Sequence, residues 1–260
     1  MKKVYIVPNI VTTGNMFCGF YSMIAAVNSD YTSAAWAIIA ASVFDMLDGR
    51  IARMAKATSQ FGVEYDSLSD LISFGMAPAL LLYRWSLQPF ERLGWLAAFL
   101  FLVCGALRLA RFNVMTTVLS KKYFQGLPIP MAAGVVATFI IFHQTIGWPE
   151  SGSVRDVLVL FLTFGLSSLM VSTIKFPSFK ELNWRSRASF GFLMIGVLSM
   201  ILIAVKPEVT LFLILSTYVL ASLIWNLLLL TRGEYRQHEP FAEHREPFVE
   251  HREPFHDKET

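Results

Sequence analysis

Four aspartates lie in a part of this chain that otherwise has the composition of membrane-spanning helices. Residues 34–44 before them and 71–83 after them are almost entirely apolar. One carboxylate at that depth costs about 2.5–3.5 kcal/mol on insertion scales, so four close together require a compensating partner. Carboxylate oxygens are the ligands that hard divalent cations prefer, and such cations also bind phosphate groups. The window therefore predicts a site for divalent metal and a phosphate-bearing molecule. The four residues are Asp45, Asp48, Asp66 and Asp70.

The composition identifies the broad class of protein. Hydrophobic residues make up 55% of the 260 and charged residues 16%, whereas about a quarter of the residues in a soluble domain are charged. We therefore predict an all-α, polytopic membrane protein that contacts membrane lipids and has no nucleic-acid partner. The first apolar stretch contains Pro8, Asn9 and Asn15 and lacks a small-residue cleavage site. A cleaved signal peptide is therefore not expected.

Hydropathy and charge together predict a topology. Apolar runs of sufficient length predict a bundle of about eight transmembrane helices. Of the 22 Lys and Arg residues, 18 then fall on the side that carries both termini and 4 on the opposite side. Because cytoplasmic loops are enriched in Lys and Arg, we expect both termini and the acidic site to face the cytoplasm, in the cytoplasmic membrane. The predicted helices are residues 11–29, 33–54, 64–83, 93–112, 130–148, 154–174, 190–205 and 208–230.

Helical spacing places the four acids in two pairs. At about 100° per residue, Asp45 and Asp48 share one face near the end of the second helix. Asp66 and Asp70 are four residues apart and share a face near the start of the third helix. The connection 54–61 is short, so these helices are antiparallel neighbours and their acidic faces converge. Paired acids on two helices are what a site with two metal ions requires.

Small and basic residues accompany the acids on the second helix. Gly49 and Ala52 remove side-chain bulk, which would let a phosphate or a nucleotide approach the backbone. Arg53 supplies a planar positive group that suits phosphate oxygens. The alternative is that Arg50, Arg53 and Lys56 form buried ion pairs with the aspartates, but this leaves the regular spacing of the acids without a reason.

The residue types and spacings of the window resemble a known family signature. They read Asp45-x2-Asp48-Gly49-x2-Ala52-Arg53-x8-Gly62-x3-Asp66-x3-Asp70. This frame is similar, at every defined position, to that of the CDP-alcohol phosphatidyltransferases. Four further stretches resemble the branch of CDP-diacylglycerol–serine O-phosphatidyltransferases, namely residues 8–20, 73–79, 108–113 and 126–133.

The resemblance implies a role for each matching residue. Two divalent ions, Mg²⁺ or Mn²⁺, would be held by Asp45, Asp48, Asp66 and Asp70. Asp70 would also be the catalytic residue that accepts a proton. The residues that border the CDP part of the lipid donor would be Gly49, Arg53, Ser59, Asn9 and Thr12. The family resemblance further implies a homodimer.

The expected reaction agrees with these residue types. The phosphatidyl group of CDP-diacylglycerol would pass to the hydroxyl of L-serine, giving phosphatidylserine and CMP. A serine hydroxyl is a weak nucleophile at neutral pH, so a carboxylate must take its proton, and Asp70 is the expected base. The frame contains no Cys or His, so direct attack is expected without a covalent enzyme intermediate.

The resemblance also divides the chain. Residues 1–10 would be a short cytoplasmic or interfacial segment, 11–174 a six-helix catalytic core, 175–232 two additional transmembrane helices and 233–260 a cytoplasmic tail. The tail repeats Glu-Pro-Phe every seven residues and carries His238, His244, His251 and His256. Its prolines and polar composition predict disorder, with metal binding by the histidines as the alternative.

Polar residues outside the frame have competing interpretations. Arg108 and Arg111, followed by Asn113, lie near the cytoplasmic end of an apolar helix. They could bind the carboxylate of the serine substrate, or the arginines could extend to the membrane surface. His143 is expected to be a hydrogen-bond partner within the bundle. Both cysteines lie in apolar segments and are expected to be inert, with no disulfide.

Two other functions compete with transfer to serine. The same chemistry could use another alcohol, such as glycerol 3-phosphate or inositol phosphate, because Arg111, Lys121 and Lys122 could bind a phosphorylated acceptor. A cation-coupled transporter could also carry carboxylates inside the membrane, but transporters place them on broken helices near the midplane, in repeated halves. Here the acids lie together near one face, and residues 150–230 contain no matching second half.

Overall fold

The computed structural model describes residues 6–54, 59–116, 123–147, 153–177, 194, 196–198, 200 and 205–231. Its helices are α1 (Ile6–Val27), α2 (Tyr31–Met54), α3 (Gln60–Asp70), α4 (Ala77–Leu82), α5 (Glu91–Thr116), α6 (Ile129–Ile146), α7 (Ser153–Val171) and α8 (Pro207–Thr231). Two π-helical segments, Leu71–Met76 and Tyr83–Leu87, join α3 to α4 and extend α4. The short strands β1 (Tyr123–Gln125) and β2 (Lys175–Pro177) form an antiparallel pair.

Five helical stretches of the described chain are long and apolar enough to cross a membrane. They are Pro8–Val27, Gln60–Val114, Ile129–Ile146, Val154–Val171 and Pro207–Asn226. Helix α2 has 24 residues but carries two aspartates and two arginines, and it is not among the five. The chain is therefore a helical protein with several apolar helices of membrane-spanning length, as its composition predicts. The number eight stays a prediction, because most of the run 190–205 lies outside the described residues.

The 55-residue stretch Gln60–Val114 contains a turn. A 3-10 helix, Gln88–Phe90, is followed by Glu91 with a φ of 47°, which ends the regular helix. A Cβ on Gly94 would lie 1.9 Å from the carbonyl oxygen of Leu87, so only glycine allows α5 to start this close to the turn. Helix α5 then packs back against Leu71–Met76, so the stretch forms two neighbouring helices rather than one long span.

Helix α1 packs closely on both of the helices that carry the acids. Ser22 Oγ donates to the carbonyl oxygen of Ala34 in α2 at 2.8 Å. A Cβ on Gly19 would lie 2.6 Å from Cα of Ser73, so α1 contacts the backbone of the π-helical segment directly. The described part of α1 starts at Ile6. The N-terminal residues of α1 are thereby brought beside α2 and α3.

Helix α6 forms the centre of the apolar core. Ile129, Ile140 and Val136 are fully buried. Gly126, with a φ of 77°, lets the chain enter α6 beside α7, since a Cβ there would lie 2.4 Å from the carbonyl oxygen of Met170. Residues up to Leu223 form one compact unit, which contains the site described below. The remaining unit begins at Ile224, and its described part is the end of α8.

Candidate active site

The last turns of α2 and the first turns of α3 bring three of the predicted acids together. Asp45, Asp48 and Asp66 each offer one oxygen, and these oxygens lie within 4.8 Å of one another. Asp48 is buried, and the other two are half-buried. Three carboxylates at this separation repel one another strongly in a medium of low dielectric constant. A positive ligand between them would remove that repulsion.

Neighbouring side chains do not neutralise these carboxylates. Among the described residues, the one salt bridge joins Arg155 to Asp156, far along the chain from the site. Arg50 and Arg53 are exposed, and neither forms an ion pair with the four acids. Lys56 lies outside the described residues. In the part of the chain that the structure describes, the arginines of α2 therefore do not form the ion pairs that the alternative interpretation expects.

Two buried oxygens in the cluster lack any hydrogen-bond partner among the described residues. They are Oδ2 of Asp48 and Oδ1 of Asp66. Because an unsatisfied buried carboxylate oxygen is costly, such atoms point to a missing ligand. The donor set consists of oxygens alone, as Mg²⁺, Mn²⁺ and Ca²⁺ prefer. The residues present therefore fit a hard divalent cation.

Asp70, the fourth acid, is buried, as Asp48 is. Its Oδ1 accepts a hydrogen bond of 3.2 Å from Nδ2 of Asn15 in α1. Its carboxyl group lies within hydrogen-bonding reach of Asp45, and the guanidinium of Arg108 interacts with its charge. Asp70 thus connects the acidic cluster to a buried arginine on α5.

A cavity of about 180 Å³ opens beside the cluster, between the N-terminus of α1, the end of α2 and the start of α3. All of the residues predicted to border the CDP group line it, together with two of the acids. The lining residues are Pro8, Asn9, Thr12, Asp48, Gly49, Arg53, Ser59, Gly62, Val63 and Asp66. Residues distant in sequence therefore surround one space next to the candidate metal ligands.

The glycines of the cavity differ in what surrounds them. A Cβ on Gly49 would meet only the guanidinium of Arg53, at 3.6 Å and 3.9 Å, which is ordinary contact. Packing therefore does not require glycine at this position. A Cβ on Gly62 would lie 3.2 Å from Oγ of Ser59. That hydroxyl is the N-cap of α3 and accepts from the Gly62 backbone N–H at 3.0 Å.

The residues predicted to bind serine are in different environments. Arg108 is buried, its Nε has no partner among the described residues, and its guanidinium lies 5.5 Å from the Phe112 ring. Arg111 donates to the carbonyl oxygen of Val171 at 3.1 Å. Asn113 donates to the hydroxyl of Ser67 at 2.9 Å. Burial and the Asp70 interaction make Arg108 the member of this group best placed for an acceptor.

His143 and the two cysteines are the residues for which the sequence predicts no catalytic role. His143 is buried, with its ring edge-on to Trp85 at 5.2 Å. Cys18 and Cys104 are free thiols. The sequence did not predict that Asn15 contacts one of the four acids. An amide in the middle of an apolar helix was the available signal, because such groups usually hydrogen-bond to a neighbouring helix.

Comparisons with known proteins show which family the chain resembles. The family model described as CDP-alcohol phosphatidyltransferase matches residues 5–169. A CDP-diacylglycerol–serine O-phosphatidyltransferase of Helicobacter pylori (strain 26695) is 34% identical over 89% of this chain and 95% of its own length. The protein of that name in Bacillus subtilis (strain 168) is 36% identical over 67% of this chain and 92% of its own. An archaetidylserine synthase of Methanothermobacter thermautotrophicus is 35% identical over 65% of this chain and 69% of its own. The chain belongs to the CDP-alcohol phosphatidyltransferase family.

Proposed function

We propose that this protein transfers the phosphatidyl group of CDP-diacylglycerol to L-serine, forming phosphatidylserine and CMP. The single observation that carries the proposal is the cluster of Asp45, Asp48 and Asp66 at the edge of a cavity lined by all of the residues predicted to border the CDP group. Its unpaired oxygens require cations, and the arginine and small residues beside it suit phosphate. The names of the relatives from bacteria and an archaeon support serine as the acceptor.

The acids divide into two roles in this proposal. Asp45, Asp48, Asp66 and Asp70 would hold two divalent ions, Mg²⁺ or Mn²⁺. When bound, such ions would supply Lewis-acid chemistry, polarising the phosphorus of the donor and offsetting the charge that develops on the departing CMP. Asp70 also takes the proton of the serine hydroxyl as the new O–P bond forms and the bond to CMP breaks. Its interactions with Arg108 and Asn15, which the other three acids do not share in the part of the chain that the structure describes, support this second role.

The cavity residues bind the donor. The guanidinium of Arg53 pairs with phosphate oxygens, and Gly49 leaves room for them against the backbone of α2. Asn9, Thr12 and Ser59 offer polar atoms to the nucleotide. Arg108 orients the acceptor by binding its carboxylate, which places the hydroxyl of serine beside Asp70. Because Arg111 and Asn113 already have partners in the protein, their contribution to serine binding is indirect.

One assay tests the function directly. Purified protein is incubated with CDP-diacylglycerol and Mg²⁺ or Mn²⁺, and each alcohol of a panel is added separately, with CMP release and lipid product measured. L-Serine is expected to give the highest kcat/KM. A clear preference for glycerol 3-phosphate or inositol phosphate would contradict serine but leave the family chemistry intact. No CMP release with any alcohol would contradict the enzyme itself.

The setting of the site in the membrane is a second part of the proposal. We expect the cavity to face the cytoplasm, in a homodimer in the cytoplasmic membrane, with residues 11–174 as the catalytic core and 175–232 as additional helices. The excess of Lys and Arg on the side of the site supports this orientation. The tail 233–260 lies outside the described residues, and its predicted disorder is untested.

Orientation is tested with a single cysteine at the exposed Glu64 in a background without the two native cysteines. An impermeant thiol reagent should label it only after the cytoplasmic face is opened. Labelling from outside intact cells would reverse the orientation. Crosslinking in membranes followed by mass measurement would test the homodimer.

A further inference from the structure

Helix α1 is hydrogen-bonded to the Asp70 segment at three successive points. Ser69 Oγ donates to the carbonyl oxygen of Thr12 at 3.1 Å, and Ser73 Oγ donates to that of Asn15 at 2.9 Å. Between them, Asn15 Nδ2 donates to Oδ1 of Asp70 at 3.2 Å. All of these side chains are buried, so water does not compete for the three bonds. The contacts therefore hold α1 in register on both sides of Asp70.

The backbone changes from an α-helix to a π-helix directly after Asp70, so the direction of the Asp70 side chain depends on support from a neighbouring helix. Asp70 is the last residue of α3, and the π-helical segment Leu71–Met76 follows at once. Wider π-helical turns are rare and are concentrated at functional sites, because they change the direction in which neighbouring side chains project. Gly19 packs against Cα of Ser73, so α1 contacts this segment without an intervening side chain. The direction of Asp70 thus depends on α1 as well as on α3.

The bond from Asn15 affects only one of the two carboxylate oxygens of Asp70. It occupies Oδ1, which leaves Oδ2 for a cation or for the proton of the acceptor. The Asn15 side chain has no exposed surface, so it does not reach substrate. An amide is uncharged and does not exchange protons at neutral pH, so it orients the carboxylate without altering the charge of the site.

We propose that Asn15 is a positioning residue that orients the Asp70 carboxylate for proton transfer. The inference rests on the proposed function of Asp70 as base. It assigns to α1 a catalytic contribution that lies outside the acidic frame of α2 and α3. Loss of the bond would let the carboxylate rotate, and small displacements of a catalytic group reduce turnover strongly.

The test compares Asn15→Leu with a matched control, Ser22→Ala. Leu has nearly the branched shape of Asn but cannot hydrogen-bond. Ser22 lies seven residues further along α1, is equally buried and also donates to a neighbouring helix, without touching Asp70. Three quantities are measured in each variant: kcat and KM for both substrates, the affinity for CDP-diacylglycerol without serine, and the melting temperature.

Asn15→Leu should lower kcat by roughly 10- to 100-fold while the donor affinity stays within about twofold of the unaltered protein. Ser22→Ala should lower the melting temperature to a similar extent but leave kcat nearly unchanged. If Asn15→Leu does not fold, Asn15→Ala, which adds no bulk, takes its place. A normal kcat in the Asn15 variant, an equal loss of kcat in Ser22→Ala, or a parallel loss of donor affinity would each overturn the inference.

Asp70→Asn separates this inference from the proposed function. If Asp70→Asn keeps its turnover, the base assignment fails, and the role of Asn15 fails with it. If Asp70→Asn loses its turnover and Asn15→Leu does not, the proposed function stands and only the positioning role is wrong.

Discussion

In the part of the chain that the structure describes, two groups of buried and half-buried charged residues are built in opposite ways. The first, called here the open cluster, consists of Asp45, Asp48 and Asp66. The second, the closed cluster, consists of the following four residues: Trp85, Ser86, Arg155 and Asp156. Asp66 and Ser86 lie near the two ends of one continuous helical stretch, 60–87, which separates them by roughly 25–30 Å along the helix axis.

Every charge of the closed cluster has a partner in the protein. Arg155 Nη2 lies 2.8 Å from Oδ1 of Asp156, and Nε donates to the same oxygen at 2.9 Å. Ser86 Oγ also donates to Asp156. The guanidinium lies 5.1 Å from the centre of the Trp85 ring, where cation–π attraction adds to the ion pair. The closed cluster therefore joins α7 to the π-helical segment Tyr83–Leu87 and needs no ligand.

The open cluster has three like charges, no base paired with them and two unsatisfied oxygens in the described part of the chain. Burial of charge is therefore not what distinguishes a functional site from a structural one in this protein. The distinction is whether the protein itself satisfies the charge. This difference predicts that substitutions in the closed cluster lower stability, whereas those around the open cluster lower ligand binding or turnover.

The largest expected effect comes from Asp70→Asn, compared with Asp156→Ala. Removing the base should lower kcat by about 10²- to 10⁴-fold, and CDP-diacylglycerol binding should remain appreciable. Asp156→Ala should lower the melting temperature, because it leaves the Arg155 charge and the Ser86 hydroxyl without their acceptor, a cost of about 1–3 kcal/mol. Its turnover at a temperature where it is folded should be near normal. Turnover and thermal unfolding are measured on both; near-normal turnover in Asp70→Asn would refute the base assignment.

Metal binding to the open cluster should stabilise the protein, whereas the closed cluster needs no metal. Chelation should abolish activity and lower the melting temperature, and Mg²⁺ or Mn²⁺ at about a hundred times its Kd should restore about 2.7 kcal/mol. Asp66→Asn should weaken this metal response and donor binding together. It should also make the metal-free protein more stable, because one repelling charge is removed. A metal-free Asp66→Asn protein that is less stable than the unaltered one would show that the acids are satisfied without metal.

Arg108, near the open cluster, and Arg155, in the closed cluster, extend the comparison. Arg108 has an Nε without a partner among the described residues and interacts with Asp70, whereas Arg155 is paired with Asp156 through both Nε and Nη2. Arg108→Leu should raise the KM for serine by about tenfold or more, the equivalent of a lost charged hydrogen bond, with the KM for the donor little changed. Arg155→Leu should change neither KM and should lower the melting temperature. Equal effects of the two substitutions on serine KM would remove Arg108 from the acceptor site.

The smallest effect is expected at a glycine. Gly49→Ala adds one methyl group beside the guanidinium of Arg53, with no close contact to other protein atoms. It should weaken donor affinity by about tenfold or less, as the loss of roughly 1 kcal/mol implies, and should not lower the melting temperature, because Ala favours a helix more than Gly does. Gly19→Ala is the control, since its methyl group would meet the Ser73 backbone and should lower the melting temperature. Unaltered donor affinity in Gly49→Ala would mean that the ligand does not use that space.

The sequence was informative wherever a signal repeats within one helix. The spacing of Asp45 and Asp48, and of Asp66 and Asp70, follows the helical period, so the shared faces could be read from numbers alone. The short connection after α2 predicted that these faces meet. Composition predicted apolar helices of membrane-spanning length, and the frame predicted the family. These inferences need only local geometry and chain length.

Contacts between helices distant in sequence were decided by the tertiary structure. Nothing in the spacing of α1 predicts that Asn15 meets Asp70, or that Ser69 and Ser73 bond to carbonyl oxygens of the same helix. The sequence also treated Arg108 and Arg111 alike, whereas packing against α7 gives Arg111 a backbone partner and leaves Nε of Arg108 without one among the described residues. Side-chain periodicity states which residues share a face of a helix. Which face a neighbouring helix covers depends on how all the helices pack, so the satisfied and the unsatisfied charges could be told apart only in the folded protein.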